Sequence, residues 1–266
     1  MLEGIDLGYS LAGAFVSFLV GLTGVGGGSL MAPILILFFG IHPALAVGTD
    51  LWFAAITKAV GGGMHNKLGS VDWYVVKRLA MGSLPAAVLT LGWLWLFQDG
   101  KLDAGPLMKL LGGALLLTSI LMILKPRIQP GLVRLRGRLG KGMRGRQKVI
   151  VMGGGAAIGA LVTLTSVGAG ALVAVLLATL YPLRLGTKKI VGTDLVHAVP
   201  LTLVAGMGHS LLGNVDGWML ASLLIGAIPG IIVGSLVSGK VPEAVVRYAL
   251  AAMLVVAALK MLFPAG

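Results

Sequence analysis

The chain has 266 residues, of which 57% are hydrophobic and 11% are charged, with a mean hydropathy of +0.99 and a formal net charge of +12. Soluble domains are about 45–50% apolar and about 25% charged, so this composition excludes a soluble or a disordered chain and indicates a polytopic membrane protein. A bilayer-spanning helix needs roughly 20 apolar residues, so the length allows about eight to ten passes. The absence of cysteine excludes disulfides and thiolate metal sites.

Apolar segments follow one another along the chain with few interruptions. The pattern predicts helices at about 7–22, 29–40, 44–64, 73–97 and 106–124, and then at about 149–164, 171–180, 187–208, 216–238 and 243–263. Between the two sets, residues 125–148 contain nine Lys or Arg and no acidic residue. We expect this basic stretch to be a cytoplasmic linker held near anionic lipid, and not a nucleic-acid site.

The second set of segments repeats the first. Val-Gly-Thr-Asp-Leu at residues 47–51 returns at 191–195, an offset of 144 residues. The same offset pairs histidines, prolines and two further aspartates, Asp72 and Asp216, which we expect to cap the fourth helix of each copy. Apolar sequence aligns readily by chance on Leu, Ala and Gly, but not on these polar residues. The chain is therefore predicted to contain two repeats, 1–124 and 149–266.

The repeats are predicted to have inverted topology, because each contains five apolar segments and five is odd. The segments of about 12 residues reach about 18 Å, less than the roughly 30 Å of the hydrocarbon core. Each repeat is therefore expected to be a broken or re-entrant helix hairpin followed by three transmembrane helices. The distribution of Lys and Arg places residues 125–148 in the cytoplasm and the N-terminus outside the cell (inner) membrane.

Two glycine-rich breaks occupy equivalent positions, Thr-Gly-Val-Gly-Gly-Gly at residues 23–28 and Thr-Ser-Val-Gly-Ala-Gly at 165–170. Each break precedes a short helix whose N-terminal N–H groups attract anions, and paired breaks are typical of transporter sites. The alternative is that the glycines serve only close helix packing. The candidate substrate-binding residues are Thr23, Gly24, Gly26, Gly27, Gly28, Ser29, Thr165, Ser166, Gly168, Gly170 and Lys58.

Ionisable residues within apolar segments are functional candidates, because burying a charge in a membrane is costly. Asp50 and Asp194 follow Gly-Thr in each repeat, Lys58 lies about two turns after Asp50, and His197 lies three residues after Asp194. We interpret Asp50, Asp194 and His197 as candidates for ion coupling and Lys58 as a cation near the anion. The alternatives are helix capping by the aspartates, snorkelling of Lys58 and a structural core histidine.

No enzyme constellation or metal-binding motif occurs, and no cofactor is predicted. The residues instead favour a secondary transporter for a small oxyanion, driven by a proton gradient or by the membrane potential. A passive anion channel is the alternative within transport. A membrane-embedded enzyme acting on lipid is the alternative from another class.

The sequence resembles the TauE/SafE family of sulfite exporters. The resemblance is carried by Gly-Leu-Thr-Gly-Val-Gly-Gly-Gly-Ser-Leu at residues 21–30, by Ala-Val-Gly-Thr-Asp at 46–50 and by their degenerate second copies, and it covers nearly the whole chain. It implies duplicated modules of about three transmembrane helices and export of a sulfur-containing anion such as sulfite or an organosulfonate. The second copy has Ser166 for Gly24 and Ala169 for Gly27, so the identity of the anion stays open, as does assembly into a homo-oligomer.

Overall fold

The computed structural model describes residues 5–23, 30–98, 103–139, 142–182, 184–237 and 240–263. In this part of the chain every regular element is a helix, which confirms the predicted all-α class. The ten helices are α1 (Leu7–Thr23), α2 (Met31–Phe39), α3 (Pro43–Lys67), α4 (Trp73–Phe97), α5 (Ala104–Leu139), α6 (Gly142–Thr165), α7 (Ala171–Leu180), α8 (Thr187–Leu211), α9 (Gly217–Val237) and α10 (Glu243–Leu262).

Seven helices of the described part are long and apolar enough to cross a membrane, namely α3, α4, α5, α6, α8, α9 and α10. The remaining three, α1, α2 and α7, are shorter. With 9 and 10 residues, α2 and α7 reach only about 15 Å, half of the hydrocarbon core. The chain is therefore a polytopic helical protein with two short helices, one in each half.

The basic stretch 125–148 is mostly helical. The apolar part of α5 ends at Arg127, but the helix continues to Leu139, and α6 already begins at Gly142. Residues 126–139 include two prolines and two glycines, which have low helix propensity, so this continuation does not follow from local propensity. At 1.5 Å per residue, α5 extends about 18 Å beyond its apolar part.

The two halves of the chain pack against each other through parallel helix pairs. Helix α1 lies along α9, and α6 lies along α4. A Cβ added to Gly13 or Gly155 would overlap the carbonyl of Leu223 or Leu79, respectively. In both helix pairs, the contacts advance in the same direction along the two helices, so the helices are parallel. Further glycines of α9, α4 and α6 approach the backbone of the partner helix in the same way. Small residues thus bring the backbones of the two halves into contact.

Helices α3 and α8 form the centre of the molecule and are the most buried of the seven long helices. They run antiparallel, because Trp52 near the start of α3 donates from Nε1 to Ser210 near the end of α8 (2.8 Å), whereas Gly62 approaches Val196. Helices α2, α4, α5, α6, α7 and α9 contact one or both members of this pair.

The repeated Gly-Thr-Asp motif accounts for the crossing of the two halves. A Cβ on Gly48 would overlap the carbonyl of Asn214, so the motif glycine permits a backbone contact. Thr49 Oγ1 accepts the N–H of Asp216 (3.2 Å), and Thr193 Oγ1 accepts the N–H of Asp72 (3.0 Å). The motif threonine of each half therefore holds the start of the fourth helix of the other half.

The prediction that Asp72 and Asp216 cap those fourth helices is confirmed. Asp72 Oδ1 accepts the N–H of Val75 at 3.3 Å. Asp216 Oδ1 accepts the N–H groups of Trp218 and Met219, both at 2.9 Å. Both aspartates satisfy backbone donors of the first helical turn, as an N-cap does.

Candidate functional site

The first glycine break lies mostly outside the described residues, and with it Gly24, Gly26, Gly27, Gly28 and Ser29. Thr23 ends α1, and its side chain is likewise not described. The described chain resumes at the buried Leu30, one residue before α2. The first turn of α2 points into the protein, where the N–H of Ala32 donates to Oδ2 of Asp50 at 3.3 Å.

The second break, residues 166–170, separates α6 from α7 as the sequence predicts. Ser166 and Gly168 have φ angles of 56° and 105°, in the left-handed region that a helix cannot continue through. The hydroxyl of Thr165 shapes the break, since it donates to the carbonyl of Leu161 (2.7 Å) and accepts the N–H of Val167 (3.1 Å). Thr165 thus supports the backbone of the break.

Several donors of this second break are open. Gly170 is the N-cap of α7, and its carbonyl accepts the N–H of Ala174 at 3.0 Å. In the described part of the chain, no hydrogen bond engages the backbone N–H groups of residues 168–171. The hydroxyl of Ser166 is buried and lies against the carboxylate of Asp50 from the other half. An acceptor of small size would satisfy these donors.

Asp50 lies between the start of α2 and the second break. Its carboxylate is fully buried, accepts from the first turn of α2 and faces the side chain of Ser166 from the other half. Oδ1 of Asp50 makes no hydrogen bond. The capping interpretation of Asp50 is wrong, because α3 begins seven residues earlier at Pro43, and the same holds for Asp194 in α8, which begins at Thr187.

Lys58 lies between the carboxylates of the two halves. It is 6% exposed, so its ammonium group does not snorkel to the surface. It acts electrostatically on both Asp194 and Asp50, yet in the described residues it forms an ion pair with neither. A buried cation without a closed ion pair retains the capacity to bind an anion.

His197 has a hydrogen-bond partner that the sequence analysis did not identify. Its Nε2 lies 2.8 Å from Oγ of Ser83 on α4, and both side chains are fully buried. Nδ1 of His197 and Oδ1 of Asp194 have no partner. Ser83 gave no signal in the repeat, because its counterpart at an offset of 144 residues is Ala227.

The site is therefore a buried polar cluster built on α3 and α8 and bordered by the start of α2, by α4 and by the second break. An unsatisfied buried polar atom costs about 1–3 kcal/mol, so its open donors and acceptors favour a bound polar ligand. Among the described residues, no group of three His, Cys, Asp or Glu is placed to hold a metal ion. The arrangement is suited to binding a small polar solute and to exchanging protons.

Comparison with known proteins gives a family match and two relatives. A family model described as "Sulfite exporter TauE/SafE" matches residues 9–261. The "Probable membrane transporter protein YjnA" of Bacillus subtilis (strain 168) is 38% identical over 253 residues, which cover 95% of this chain and 98% of the relative. A second relative from the same organism, "Probable membrane transporter protein YunE", is 39% identical over 68 residues, 26% of this chain and 25% of the relative.

No solved structure gives a significant match to the chain. The family match and the YjnA match both cover almost all of it, and both are to membrane transporters rather than to enzymes. The chain therefore belongs to the TauE/SafE sulfite exporter family.

Proposed function

We propose that this protein is a secondary transporter that exports a small sulfur-containing oxyanion, sulfite or an organosulfonate, by alternating access. The observation that carries the proposal is the buried Lys58, which lies between Asp50 and Asp194 without a closed ion pair. In the second break, the N–H groups of residues 168–171 are open donors. Charge-assisted hydrogen bonds from such groups bind oxyanions strongly. The family description supports the sulfur-containing class.

The helix directions support two inverted repeats, residues 1–124 and 149–266, joined by residues 125–148. Successive segments of a polytopic protein alternate in direction, so α4 runs opposite to α1. Helix α9 runs parallel to α1. The fourth helices of the two halves, α4 and α9, thus run in opposite directions, as inverted repeats require.

The contacts at the helix ends support a cytoplasmic location of residues 125–148 and an outside N-terminus in the cell membrane. Arg184 donates to both carboxylate oxygens of Asp72, from Nε at 2.6 Å and from Nη2 at 3.0 Å. The two loops involved, 65–72 and 181–189, are both predicted to be cytoplasmic. The hydrogen bond to Asp72 raises the pKa of the Arg184 guanidinium, so this link between the halves stays charged.

Alternating access follows from the same arrangement. The short helices α2 and α7 begin near the cluster and end toward opposite faces, and one half moving relative to the other would open the cluster to each side in turn. Export is then binding from the cytoplasm, closure and release outside. The substrate is held by Lys58 and by the donors of the breaks.

The test is a flux measurement with the purified protein in liposomes and labelled sulfite. A carrier predicts saturable efflux that unlabelled sulfite on the opposite side accelerates, because a loaded carrier returns faster. Lys58→Met removes the buried cation, and we expect it to lower flux at least about tenfold, the loss of one charge-assisted hydrogen bond.

The matched control is Lys240→Met, since Lys240 is exposed and lies outside the cluster. It should transport at the wild-type rate. Flux without acceleration by sulfite on the opposite side would indicate the passive channel. Absence of sulfite flux above protein-free liposomes would overturn the proposal.

A further inference from the structure

We propose that Asp50 occupies part of the anion site in the empty transporter, so that each negative charge of the substrate enters together with one proton that Asp50 accepts. This inference rests on the proposed anion transport and specifies its coupling. Transport is then electroneutral, driven by a pH difference and indifferent to membrane potential.

The two halves use equivalent groups differently. Ala32 in α2 and Ala174 in α7 are equivalent at the offset of 142 residues that relates the two breaks. The N–H of Ala174 donates to the backbone carbonyl of Gly170, whereas the N–H of Ala32 donates to the carboxylate of Asp50 (3.3 Å). Only in the first half does an aspartate of the described residues occupy the start of the short helix.

A carboxylate at this place competes with the substrate. Both are anions that accept N–H hydrogen bonds at a helix N-terminus, where the helix dipole favours one negative charge. The hydroxyl of Ser166 is next to the carboxylate of Asp50 and interacts with it, while Oδ1 of Asp50 makes no hydrogen bond. A substrate oxygen that enters here would share the donors of Asp50.

The charges of the cluster require compensation when an anion arrives. Asp50 is attracted electrostatically by Lys58, and Asp194 is attracted by Lys58 and by Lys125 of α5. His197 contacts the hydroxyl of Ser83. His209 of α8 is also buried, and its Nε2 lies 2.9 Å from the carbonyl oxygen of Thr163. Helices α2, α7 and α9 contribute no ionisable side chain. With both histidines neutral, the formal charges of Asp50, Asp194, Lys58 and Lys125 sum to zero.

A monoanion would leave one buried negative charge uncompensated, at a cost on the order of several kcal/mol. A proton taken from the aqueous side onto a carboxylate oxygen of Asp50 restores the sum to zero. The neutral carboxylic acid is a weaker acceptor for the N–H of Ala32 and gains an O–H that can donate to the substrate. When the anion leaves on the other side, Asp50 releases the proton there, and its carboxylate again accepts the N–H of Ala32. A dianion requires a second proton on another group of the cluster.

The experiment compares wild type, Asp50→Asn and Asp103→Asn in liposomes with labelled sulfite. Three driving conditions are used: sulfite exchange at equal pH, an imposed pH step with the membrane potential clamped at zero, and an imposed potassium diffusion potential at equal pH. We expect wild type to exchange sulfite, to accumulate it with the pH step and to show no accumulation with the potential alone.

Asp50→Asn cannot take up the proton, so we expect the ratio of pH-driven accumulation to equal-pH exchange to fall at least about tenfold, since one group carries the coupling. Moving one uncompensated charge is worth about 2.3 kcal/mol per 100 mV, so this variant should also respond to the potential. Asp103→Asn is the matched control, since Asp103 is exposed and lies outside the cluster, and it should keep the wild-type ratio.

Two results would overturn the inference. One is accumulation by wild-type protein under the potential alone, which needs no variant and therefore does not depend on the folding of Asp50→Asn. The other is pH-driven accumulation by Asp50→Asn at the wild-type level. Failure of wild-type protein to exchange sulfite is a separate outcome, and it would remove the proposed function itself.

Discussion

At the scale of single residues, the buried pair of His197 and Ser83 illustrates how the two halves differ. At an offset of 144 residues, His197 corresponds to Phe53 and Ser83 corresponds to Ala227. A hydrogen bond of 2.8 Å therefore links α8 to α4, whereas the equivalent positions of α3 and α9 hold two apolar side chains. Both Phe53 and Ala227 are buried, which shows that the fold accepts the apolar combination at an equivalent position.

The variant His197→Phe tests this pair. Alone, it leaves the hydroxyl of Ser83 buried without a partner, and we expect it to destabilise the protein by about 1–3 kcal/mol. The double variant with Ser83→Ala reproduces the equivalent apolar pair, Phe53 and Ala227. It should be more stable than His197→Phe alone. Thermal unfolding in detergent measures both, and a double variant less stable than the single one would contradict the expectation.

The same double variant separates structure from proton coupling at His197. Because Asp50 is the proposed proton carrier, the double variant should still accumulate sulfite with a pH step. Loss of pH-driven accumulation would instead indicate that His197, one of the candidates from the sequence, carries the proton coupling. The flux assay already described provides the measurement.

At the scale of helices, the two halves are held together by backbone contacts between α1 and α9 and between α4 and α6. A Cβ on Gly226 would overlap the carbonyl of Ser10, whereas a Cβ on Gly217 at the start of the same helix meets nothing within 4 Å. Since the obstacle is backbone, α1 must move to accommodate it. The glycines of α9 are thus needed for packing, while those of the second break shape a candidate site.

Gly226→Ala should therefore destabilise the protein by about 1–3 kcal/mol, the usual cost of overpacking. Gly217→Ala is the matched control in the same helix and should change stability little. Thermal unfolding of both variants in the same detergent measures the difference. Equal stability of the two variants would mean that α1 and α9 separate without cost.

At the scale of the whole molecule, the two repeats have either inverted or parallel topology. Only inverted topology lets the short helices α2 and α7 approach one site from opposite sides of the membrane. Lys67 and Leu211 are equivalent at the offset of 144 residues, end α3 and α8 respectively, and are both exposed. In inverted repeats these two positions lie on opposite faces of the membrane. In parallel repeats they lie on the same face.

Lys67→Cys and Leu211→Cys test the topology, because the chain contains no other cysteine. We expect an impermeant thiol reagent added outside intact cells to label Leu211→Cys but not Lys67→Cys, which should label only after permeabilisation. Gly137→Cys in the basic stretch provides a cytoplasmic reference. Labelling of Lys67→Cys and Leu211→Cys from the same side would exclude inverted repeats.

Composition and apolar periodicity by themselves determined the helical class and the places of the helices. Each predicted segment matches a helix in the described residues, and most of their ends agree within about three residues, a usual uncertainty of such boundaries. This works because a helix in a membrane must satisfy its backbone hydrogen bonds internally, so the apolar run that forms it is a local property. The extension of α5 to Leu139 was not predicted, since residues 126–139 are rich in charge and contain two prolines and two glycines, which are poor helix formers.

The repeated motifs also identified the residues of the candidate site, but only the tertiary structure decided their partners. Asp50 was interpreted as a possible cap from its neighbours, yet its contacts are Ala32 and Ser166, far away in sequence. Ser83 carried no pattern at all, and its role depends on which face of α4 meets α8. A repeat predicts that two positions are equivalent, but hydrogen bonds depend on atomic distances, and these differ between the halves because their side chains differ.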